Sequence, residues 1–233
     1  MGFNSFTFIL VFLPVLMIGW HALNRLQKYT VADVLLIIMS LYFYYTFGVN
    51  FLIILSVSIG VNYALSAVLK KIDSRNTTDS NIHKKLIKII GVLFNLGLLF
   101  YFKYLGFFAD NLNVVFKTGL TVDKIIMPIG ISFFTFGQIS YIVDRANGEA
   151  PHYSFVEYTL YTAYFPKLIQ GPIAFHKEMI DQFRDKSLRT YDSVKFSAGI
   201  ISFVLGLSKK VILADVLSKI VNYGFEQTYH LDT

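Results

Sequence analysis

Four long apolar runs restrict this chain to one broad class of fold. They cover residues 6–26, 31–47, 49–69 and 86–108. A bilayer core about 30 Å thick needs about 20 helical residues to cross it, and the runs have about this length. Hydrophobic residues make up 55% of the chain and charged residues only 15%, which exceeds the apolar share of a soluble domain. The sequence therefore predicts an all-α, polytopic transmembrane protein.

The basic residues predict the orientation of these spans. No Lys or Arg precedes the first run, whereas Arg25 and Lys28 follow it, so we interpret it as a retained span and not as a signal peptide. The loop after the third run, KKIDSRNTTDSNIHKK, is also basic. Because positive charge concentrates on the cytoplasmic side, the N-terminus is predicted to lie outside a plasma or inner membrane. The net charge of +6 then indicates membrane lipids as partners and argues against nucleic acid.

A fifth predicted span, at residues 125–143, is broken and polar. It lies in the segment PIGISFFTFGQISYIVDRANGE, where Pro128 and Gly130 loosen the helix and Ser132 and Gln138 add polar groups. Irregular or polar segments inside a membrane must be shielded by protein or line a cavity. This span is therefore expected to pack against other helices and not against lipid.

The second broken segment is FPKLIQGPIAFHKEMIDQF. Pro166 and Pro172 each force the preceding residue toward an extended backbone, so a re-entrant segment at about residues 156–176 fits better than a span. We expect the two broken segments to contribute polar or irregular positions to a passage through the protein. The candidate lining residues are Lys167, Gln170, Gly171, Pro172, His176, Ser132 and Gln138.

Each of these candidates also has a purely structural interpretation. His176 begins an amphipathic stretch, and a surface histidine is the favoured interpretation over a residue that lines the passage, because an ordinary imidazole needs no special site. Lys167 and Gln170 are better candidates for the walls of a pocket, since a buried ammonium or amide must form hydrogen bonds. Satisfying the broken backbone is an equally good role for both.

The last apolar stretch is divided by Lys209 and Lys210. A Lys at the centre of a bilayer costs about 2.5–3.5 kcal/mol, so this pair is predicted to mark a membrane interface between two short helices at residues 196–207 and 211–223. Asp144 and Arg145, at the end of the fifth span, are adjacent and are expected to have separate partners.

The sequence excludes several kinds of chemistry. It contains no cysteine, which rules out disulfides, thiolate metal sites and a cysteine nucleophile within this chain. It also contains no metal-ligand cluster, glycine-rich phosphate loop or nucleophile elbow. The residues by themselves assign neither a metal nor a bound cofactor.

Five blocks in order carry a family resemblance. They are FNSFTFILVFLPV, FNLGLLFYFKYLGFF, PIGISFFTFGQISYIVD, YFPKLIQGPIAFHKE and LGLSKKVILAD. Together they resemble the membrane-bound O-acyltransferase (MBOAT) family, in its branch of alginate O-acetyltransferases, and are also similar to peptidoglycan O-acetyltransferases and D-alanyl-lipoteichoic-acid transfer proteins. The similarity covers nearly the whole chain.

The resemblance implies a multi-helix, MBOAT-like fold around a funnel or tunnel. It implies an acyl donor, acetyl-CoA or an acyl carrier protein thioester, on the cytosolic side. It also implies a polysaccharide or cell-wall acceptor and an acyltransferase or esterase-like partner protein outside. The family's catalytic histidine, in a Trp-His-Gly motif, would lie beyond Thr233, so no residue here receives a catalytic role. The chain is expected to be the N-terminal half of such an enzyme and inactive alone.

Two other functions remain open from the sequence. A non-catalytic scaffold would keep the fold and bind an extracytoplasmic esterase-like partner. A small-molecule transporter also uses broken helices near the middle of the membrane. The transporter is disfavoured because the only Asp or Glu within the five predicted spans is Asp33, near the start of the second, and no inverted repeat is visible.

Overall fold

The computed structural model describes residues 1–75, 80–117, 119, 125–169, 171 and 174–229. Within these ranges every regular element is a helix, which confirms the predicted all-α class. The helices are α1 (Phe8–Arg25), α2 (Tyr29–Tyr45), α3 (Val49–Arg75), α4 (Ser80–Phe116), α5 (Ile131–Asn147), α6 (Phe155–Ala163), α7 (Phe165–Leu168), α8 (His176–Arg184), α9 (Ser193–Ser208) and α10 (Asp215–Tyr229).

Three of these helices, α1, α3 and α4, are long and apolar enough to cross a membrane. Helix α2 is apolar but has only 17 residues. It follows α1 through a turn at Gln27, which has a positive φ of 57°. It leads into α3 through Gly48. The φ of Gly48 is 147°, which residues other than glycine rarely adopt. The membrane crossings of α2 and α5 stay predictions.

Helix α4 is longer than the sequence predicts. The run at residues 86–108 lies inside a continuous helix, Ser80–Phe116, which contains a π-helical turn at Phe100–Tyr104. The extra N-terminal turns carry polar residues, and Lys84 Nζ lies 2.6 Å from the Asp73 carboxylate at the end of α3. Polar residues extend a helix past the apolar run when a neighbouring element offers them partners.

Helix α5 packs tightly against α3 and α4. A Cβ atom added at Gly91 of α4 would lie 2.8 Å from Cγ2 of Ile142, so the two helices meet where a side chain is missing. The side-chain amides of Asn62 and Asn95 hydrogen-bond each other between α3 and α4, at 2.7 and 3.3 Å, and both residues are fully buried. Small residues and buried amides are the usual contacts between helices in membranes.

The fifth predicted span begins later than its sequence boundary. Residues 125–130 are not helical, and α5 starts at Ile131, after Gly130 in the left-handed region with φ of 76°. The Pro128 carbonyl accepts a hydrogen bond from the Ile131 N–H, which closes a turn. The helix then runs to Asn147 and ends at Gly148, also with a positive φ.

Residues 153–176 form an excursion that begins and ends at the same place. The Tyr153 hydroxyl and the His176 Nδ1 are 2.9 Å apart, although 23 residues separate them. At the far end of the excursion, the Leu168 carbonyl lies against Gly130, where a Cβ atom would be only 2.1 Å away. In the described residues the chain therefore leaves Tyr153 through α6, turns at α7, and lies beside Tyr153 again at His176, where α8 begins. This path has the shape of a re-entrant segment, and its entry into a membrane stays a prediction.

The C-terminal part of the chain corrects one expectation. The two short helices predicted at residues 196–207 and 211–223 are a single continuous helix over residues 193–229, with a π-helical turn, Lys209–Ala214, between α9 and α10. Both lysines are exposed, and Lys210 pairs with Asp215. Since the stretch between Leu207 and Asp215 contains neither Pro nor Gly, nothing in it stops a helix.

Candidate functional site

His176 is buried, which corrects the favoured interpretation of a surface histidine. Only 4% of the residue is exposed. Its Nε2 lies 2.9 Å from Asp144 Oδ2, and its Nδ1 lies 2.9 Å from the Tyr153 hydroxyl. Helix α8 is amphipathic, as the sequence predicts, and His176 lies on its inner face with Met179 and Ile180.

Tyrosine rings surround the imidazole. The ring centroids of Tyr141, Tyr153 and Tyr161 lie 5.4, 5.7 and 6.2 Å from that of His176, in edge-to-face arrangements. Such contacts are favourable and fix the orientation of a ring. We call His176, Asp144, Tyr141, Tyr153 and Tyr161 the His176 site.

Both nitrogens of this imidazole are engaged. One contacts a carboxylate and the other a phenol, so neither is free to receive a proton from a substrate without breaking a contact. The contacts join α5, the start of the excursion and the start of α8. The arrangement therefore suits an imidazole that holds the returning end of the excursion in place.

Lys167 lies in the turn at the far end of the excursion and is half-buried. Its Nζ donates a hydrogen bond of 3.3 Å to the Tyr161 carbonyl and lies 3.4 Å from the centroid of the Tyr161 ring. The other end of that ring carries a hydroxyl that donates to the Gly137 carbonyl at 3.2 Å. Tyr161 thus lies beside both Lys167, at the turn of the excursion, and His176, at its end.

Gln138 is fully buried beneath the excursion. Its Nε2 donates to Ser58 Oγ of α3 at 3.0 Å, and its Oε1 accepts from the Tyr158 hydroxyl at 3.0 Å. Both polar atoms are satisfied by neighbouring helices. Gln138 therefore links α3, α5 and α6, which fulfils the requirement for a hydrogen-bonded buried amide.

The candidates that the structure describes are spread over α5, α7, Gly171 and α8. Lys167 and His176 share Tyr161 as a neighbour, and Gln138 directly follows Gly137, whose carbonyl binds the Tyr161 hydroxyl. Ser132 is half-buried near the start of α5, and its carbonyl accepts a 3.2 Å bond from Thr135. Gly171 packs so closely that a Cβ atom would lie 2.5 Å from the Lys167 Cα. Gln170 and Pro172 lie outside the described residues.

The sequence reasoning missed the tyrosines. Tyr158 and Tyr161 are three residues apart on α6, which places both on one face of the helix, and Tyr141 belongs to α5. Their spacing is the one sequence signal that could have indicated this face, and it is weak because the chain contains 15 Tyr and 23 Phe residues. Only the fold brings three helical segments together around one imidazole.

A series of hydrogen-bonded side chains extends the His176 site toward α3. The Tyr141 hydroxyl lies 2.8 Å from Ser66 Oγ, which lies 3.0 Å from His152 Nδ1. His152 belongs to the loop between α5 and α6. Burial lowers the pKa of His152, and the nearby Lys70 and Arg145 cations lower it further, which favours the neutral imidazole at neutral pH.

Arg145 takes a partner different from that of Asp144, as the sequence predicted. Its Nη2 lies 2.5 Å from Asp73 Oδ2, and the same carboxylate also pairs with Lys84. This ion-paired group ties α5 to α3 and α4 next to the His176 site. In the described ranges no group of three or more His, Asp or Glu side chains is arranged to hold a metal ion.

These features define a polytopic helical membrane protein with a polar interior built around a chain excursion. Residues 36–233 match the model of the MBOAT, membrane-bound O-acyltransferase, family. Since the match covers most of the chain, the protein belongs to that family, which confirms the resemblance read from the sequence blocks.

Several curated proteins are similar to nearly the whole chain. A peptidoglycan O-acetyltransferase of Helicobacter pylori is 33% identical over 98% of this chain and 47% of its own length. A probable alginate O-acetylase AlgI of Pseudomonas aeruginosa is 34% identical over 97% of this chain and 42% of its own length. The corresponding AlgI of Azotobacter vinelandii is 33% identical over 97% of this chain and 44% of its own. The chain thus spans somewhat less than half the length of these relatives. No solved structure matches it.

Proposed function

We propose that this chain is the N-terminal part of a membrane O-acyltransferase that uses an acetyl group. The acyl donor would be acetyl-CoA or an acyl carrier protein thioester on the cytosolic side. The acceptor would be a hydroxyl of an extracytoplasmic polysaccharide or cell-wall polymer. In the reaction the acceptor oxygen attacks the thioester carbonyl, the C–S bond breaks, and the thiol leaves with the proton that the hydroxyl gives up.

The observation that carries this proposal is the excursion of residues 153–176 in a chain of the O-acyltransferase family. Lipid-facing main chain cannot leave a helix inside a bilayer, so an excursion of this kind needs a protein-lined interior. Lys167 lies at its turn, and the His176 site lies where it begins and ends. The printed names of the relatives, a peptidoglycan O-acetyltransferase and alginate O-acetylases, support acetyl transfer to a polymer.

The role we propose for these residues is to shape a passage, not to carry out the chemistry. His176 has both nitrogens engaged, and Lys167 is held against Tyr161, so each fixes one end of the excursion. A general base, usually worth about 10²–10⁴-fold in rate, would come from a part of the enzyme other than these residues. We therefore expect this chain, purified and placed in liposomes with acetyl-CoA, to transfer no acetyl group to an added polysaccharide.

Deleting the reading frame in its own cells tests the proposal. We expect the base-labile acetyl esters of one envelope polymer to disappear, and the gene supplied in trans to restore them. Unchanged ester content in every envelope polymer would contradict an acyltransferase function. The measurement is release of acetate from purified polymers by mild alkali, with the parent strain as the control.

A partner protein and the orientation belong to the same proposal. We propose an N-terminus outside the cytoplasmic membrane and an esterase-like partner on that side. If the chain were a non-catalytic scaffold, membranes from the deletion strain would keep full acetyl transfer from acetyl-CoA to a soluble acceptor, while the polymer in cells lost its esters. If the chain is part of the enzyme, the membranes lose acetyl transfer to the soluble acceptor and the polymer in cells loses its esters.

A further inference from the structure

A largely apolar groove, whose lining also includes Asp192 and Lys195, runs between α1 and α9. A cavity of about 420 Å³ lies between the two helices, and an adjoining one of about 660 Å³ extends along α1 as far as Ile9. We call these together the α1–α9 groove. The aliphatic, Met and Phe side chains that line both cavities are Leu13, Met17, Phe196, Ile200 and Phe203. The volumes are in the range of about 300–1,000 Å³ that is typical of small-molecule sites.

The groove ends in a basic pocket. This pocket has a volume of about 530 Å³ and is lined by His21, Arg25, Lys186 and Arg189, together with polar and aromatic residues. Its described lining includes no Asp or Glu. Because His21 and Tyr191 line both the pocket and the groove, the two spaces adjoin.

Two of the pocket's cations are available to a ligand. Arg189 is buried and already paired, since its Nη2 lies 2.8 Å from Asp33 Oδ1. Arg25 and Lys186 are exposed, and the described part of the chain provides no ion-pair partner for either. Lys186 Nζ lies 5.2 Å from the centroid of the Tyr29 ring, which holds the side chain at the pocket. The pocket therefore presents about two uncompensated positive charges.

The length of the groove matches one leaflet. From Ile9 to His21 the helix rises about 18 Å, at about 1.5 Å per residue. Half of a bilayer core is about 15 Å thick. An elongated apolar ligand with an anionic end group therefore fits, with the anion at Arg25. A soluble phosphate compound would leave the groove empty, and an apolar protein helix would leave the two cations without a partner.

We propose that the α1–α9 groove and its basic pocket bind one anionic phospholipid. The phosphate contacts Arg25 and Lys186, and an acyl chain lies along Leu13, Met17 and Phe203. Anionic lipids are concentrated in the cytoplasmic leaflet, and basic pockets between helices on that side bind such headgroups. The site is separate from the excursion and does not depend on the proposed acyl transfer.

The charge contribution is tested with phosphatidylglycerol that carries a photoactivatable acyl chain. The protein is purified from membranes and placed in nanodiscs of phosphatidylcholine, and binding is measured as labelling against lipid concentration. Each Lys or Arg near an anionic surface contributes about fivefold in affinity. We expect the double variant R25Q/K186Q to weaken binding about 20- to 30-fold. Both residues are exposed, so the fold should be retained.

A matched control has the same change in charge. Lys177 and Lys219 are exposed and do not line the groove or the basic pocket. The double variant K177Q/K219Q should bind phosphatidylglycerol as the unchanged protein does. Equal weakening in both double variants would mean that only net charge attracts the lipid, and the proposed site would be wrong.

The groove contribution is tested with two glycines of α9. A Cβ atom added at Gly199 or at Gly206 meets no atom within 4 Å, so both positions accept a larger side chain. Only Gly199 lines the groove. We expect G199L to reduce labelling by the lipid at least fivefold and G206L to leave it unchanged. The same labelling of both variants would overturn the assignment of the acyl chain to this groove.

The position of the cross-links and two competitors complete the test. Peptides with Leu13, Met17 or Phe203 should carry the label, and phosphatidylcholine should compete weakly. Efficient competition by inorganic pyrophosphate, with no label on the groove, would overturn the lipid in favour of a soluble phosphate ligand. Failure of the lipid to label the groove in intact membranes, while it labels α9 in nanodiscs, would mean that a protein segment fills the groove, and would also overturn the proposal.

Discussion

His176 Nε2 and Asp144 Oδ2 lie 2.9 Å apart and join the end of the excursion to α5. The two residues are 32 positions apart in the chain, and neither helix would place them together by itself. The contact is reinforced by Tyr153, which binds the other nitrogen of the same ring. Three segments thus meet at one imidazole.

Breaking this contact should destabilise the protein. H176A leaves the Tyr153 hydroxyl and the Asp144 carboxylate without their partner, and removing one member of a buried hydrogen bond costs about 1–3 kcal/mol. We expect the variants H176A, D144N and the double variant to give a coupling energy of about 0.5–3 kcal/mol in unfolding experiments in mixed micelles. K177A, at the exposed neighbouring position, is the control and should lie within about 0.5 kcal/mol of the unchanged protein. Additive single effects would show that the contact does not couple the segments.

Gly130 should not tolerate alanine. Its φ of 76° disfavours any side chain, and the new Cβ atom would lie 2.1 Å from the Leu168 carbonyl oxygen. We expect G130A to lower the free energy of unfolding by at least about 2 kcal/mol and to lower the midpoint of thermal unfolding.

A helical glycine without neighbours is the control for G130A. Gly97 is exposed on α4, and a Cβ atom there meets no atom within 4 Å. G97A should be neutral or stabilise the protein by up to about 1 kcal/mol, because alanine favours helix more than glycine does. Equal stability of G130A and G97A would contradict the close approach of α7 to α5.

The paired amides of Asn62 and Asn95 should show a non-additive effect. N95L leaves part of the Asn62 amide without a partner inside the bundle, and interhelical hydrogen bonds in membranes are worth about 0.6–2 kcal/mol. We expect N95L and N62L each to be destabilising, and the double variant to cost less than their sum. N111L, at an exposed asparagine of the same helix α4, should have little effect in the same unfolding assay. A double variant that costs the full sum would argue against the pair.

Cysteine labelling can test whether the excursion lines a wet passage. The chain contains no cysteine, so any labelling of a single-cysteine variant comes from the introduced thiol. We expect Q170C to react with a small water-soluble thiol reagent, because the sequence predicts that this position lines the passage. V57C is the control: Val57 is 56% exposed on α3, faces outward from the bundle and should be shielded by lipid. Complete protection of Q170C from both sides of the membrane would count against the passage.

Local sequence patterns predicted most of the helices but not all of their ends. The run at residues 49–69 lies within α3 because apolar length alone requires a helix in a bilayer. The start of the α4 helix at Ser80 was not predictable, since its extra N-terminal turns depend on partners such as Asp73 in another helix. The division predicted at Lys209 was wrong because exposed lysines are compatible with an uninterrupted helix.

The candidate site was also predictable only in part. Proline and glycine spacing in the segment around Pro166 predicted the broken backbone, because those residues restrict φ and remove donors locally. The burial of His176 was not predictable, since burial depends on what covers the inner face of α8.

The sequence by itself determined the class of this protein, its helical content and the break in the backbone around Pro166. These properties follow from apolar length, charge placement and the local chemistry of proline and glycine. Only the tertiary structure decided that Asp144, Tyr153 and His176 meet, and that a basic pocket adjoins the groove beside α1. Such contacts join residues far apart in the chain, and their energies depend on distances that no local pattern specifies.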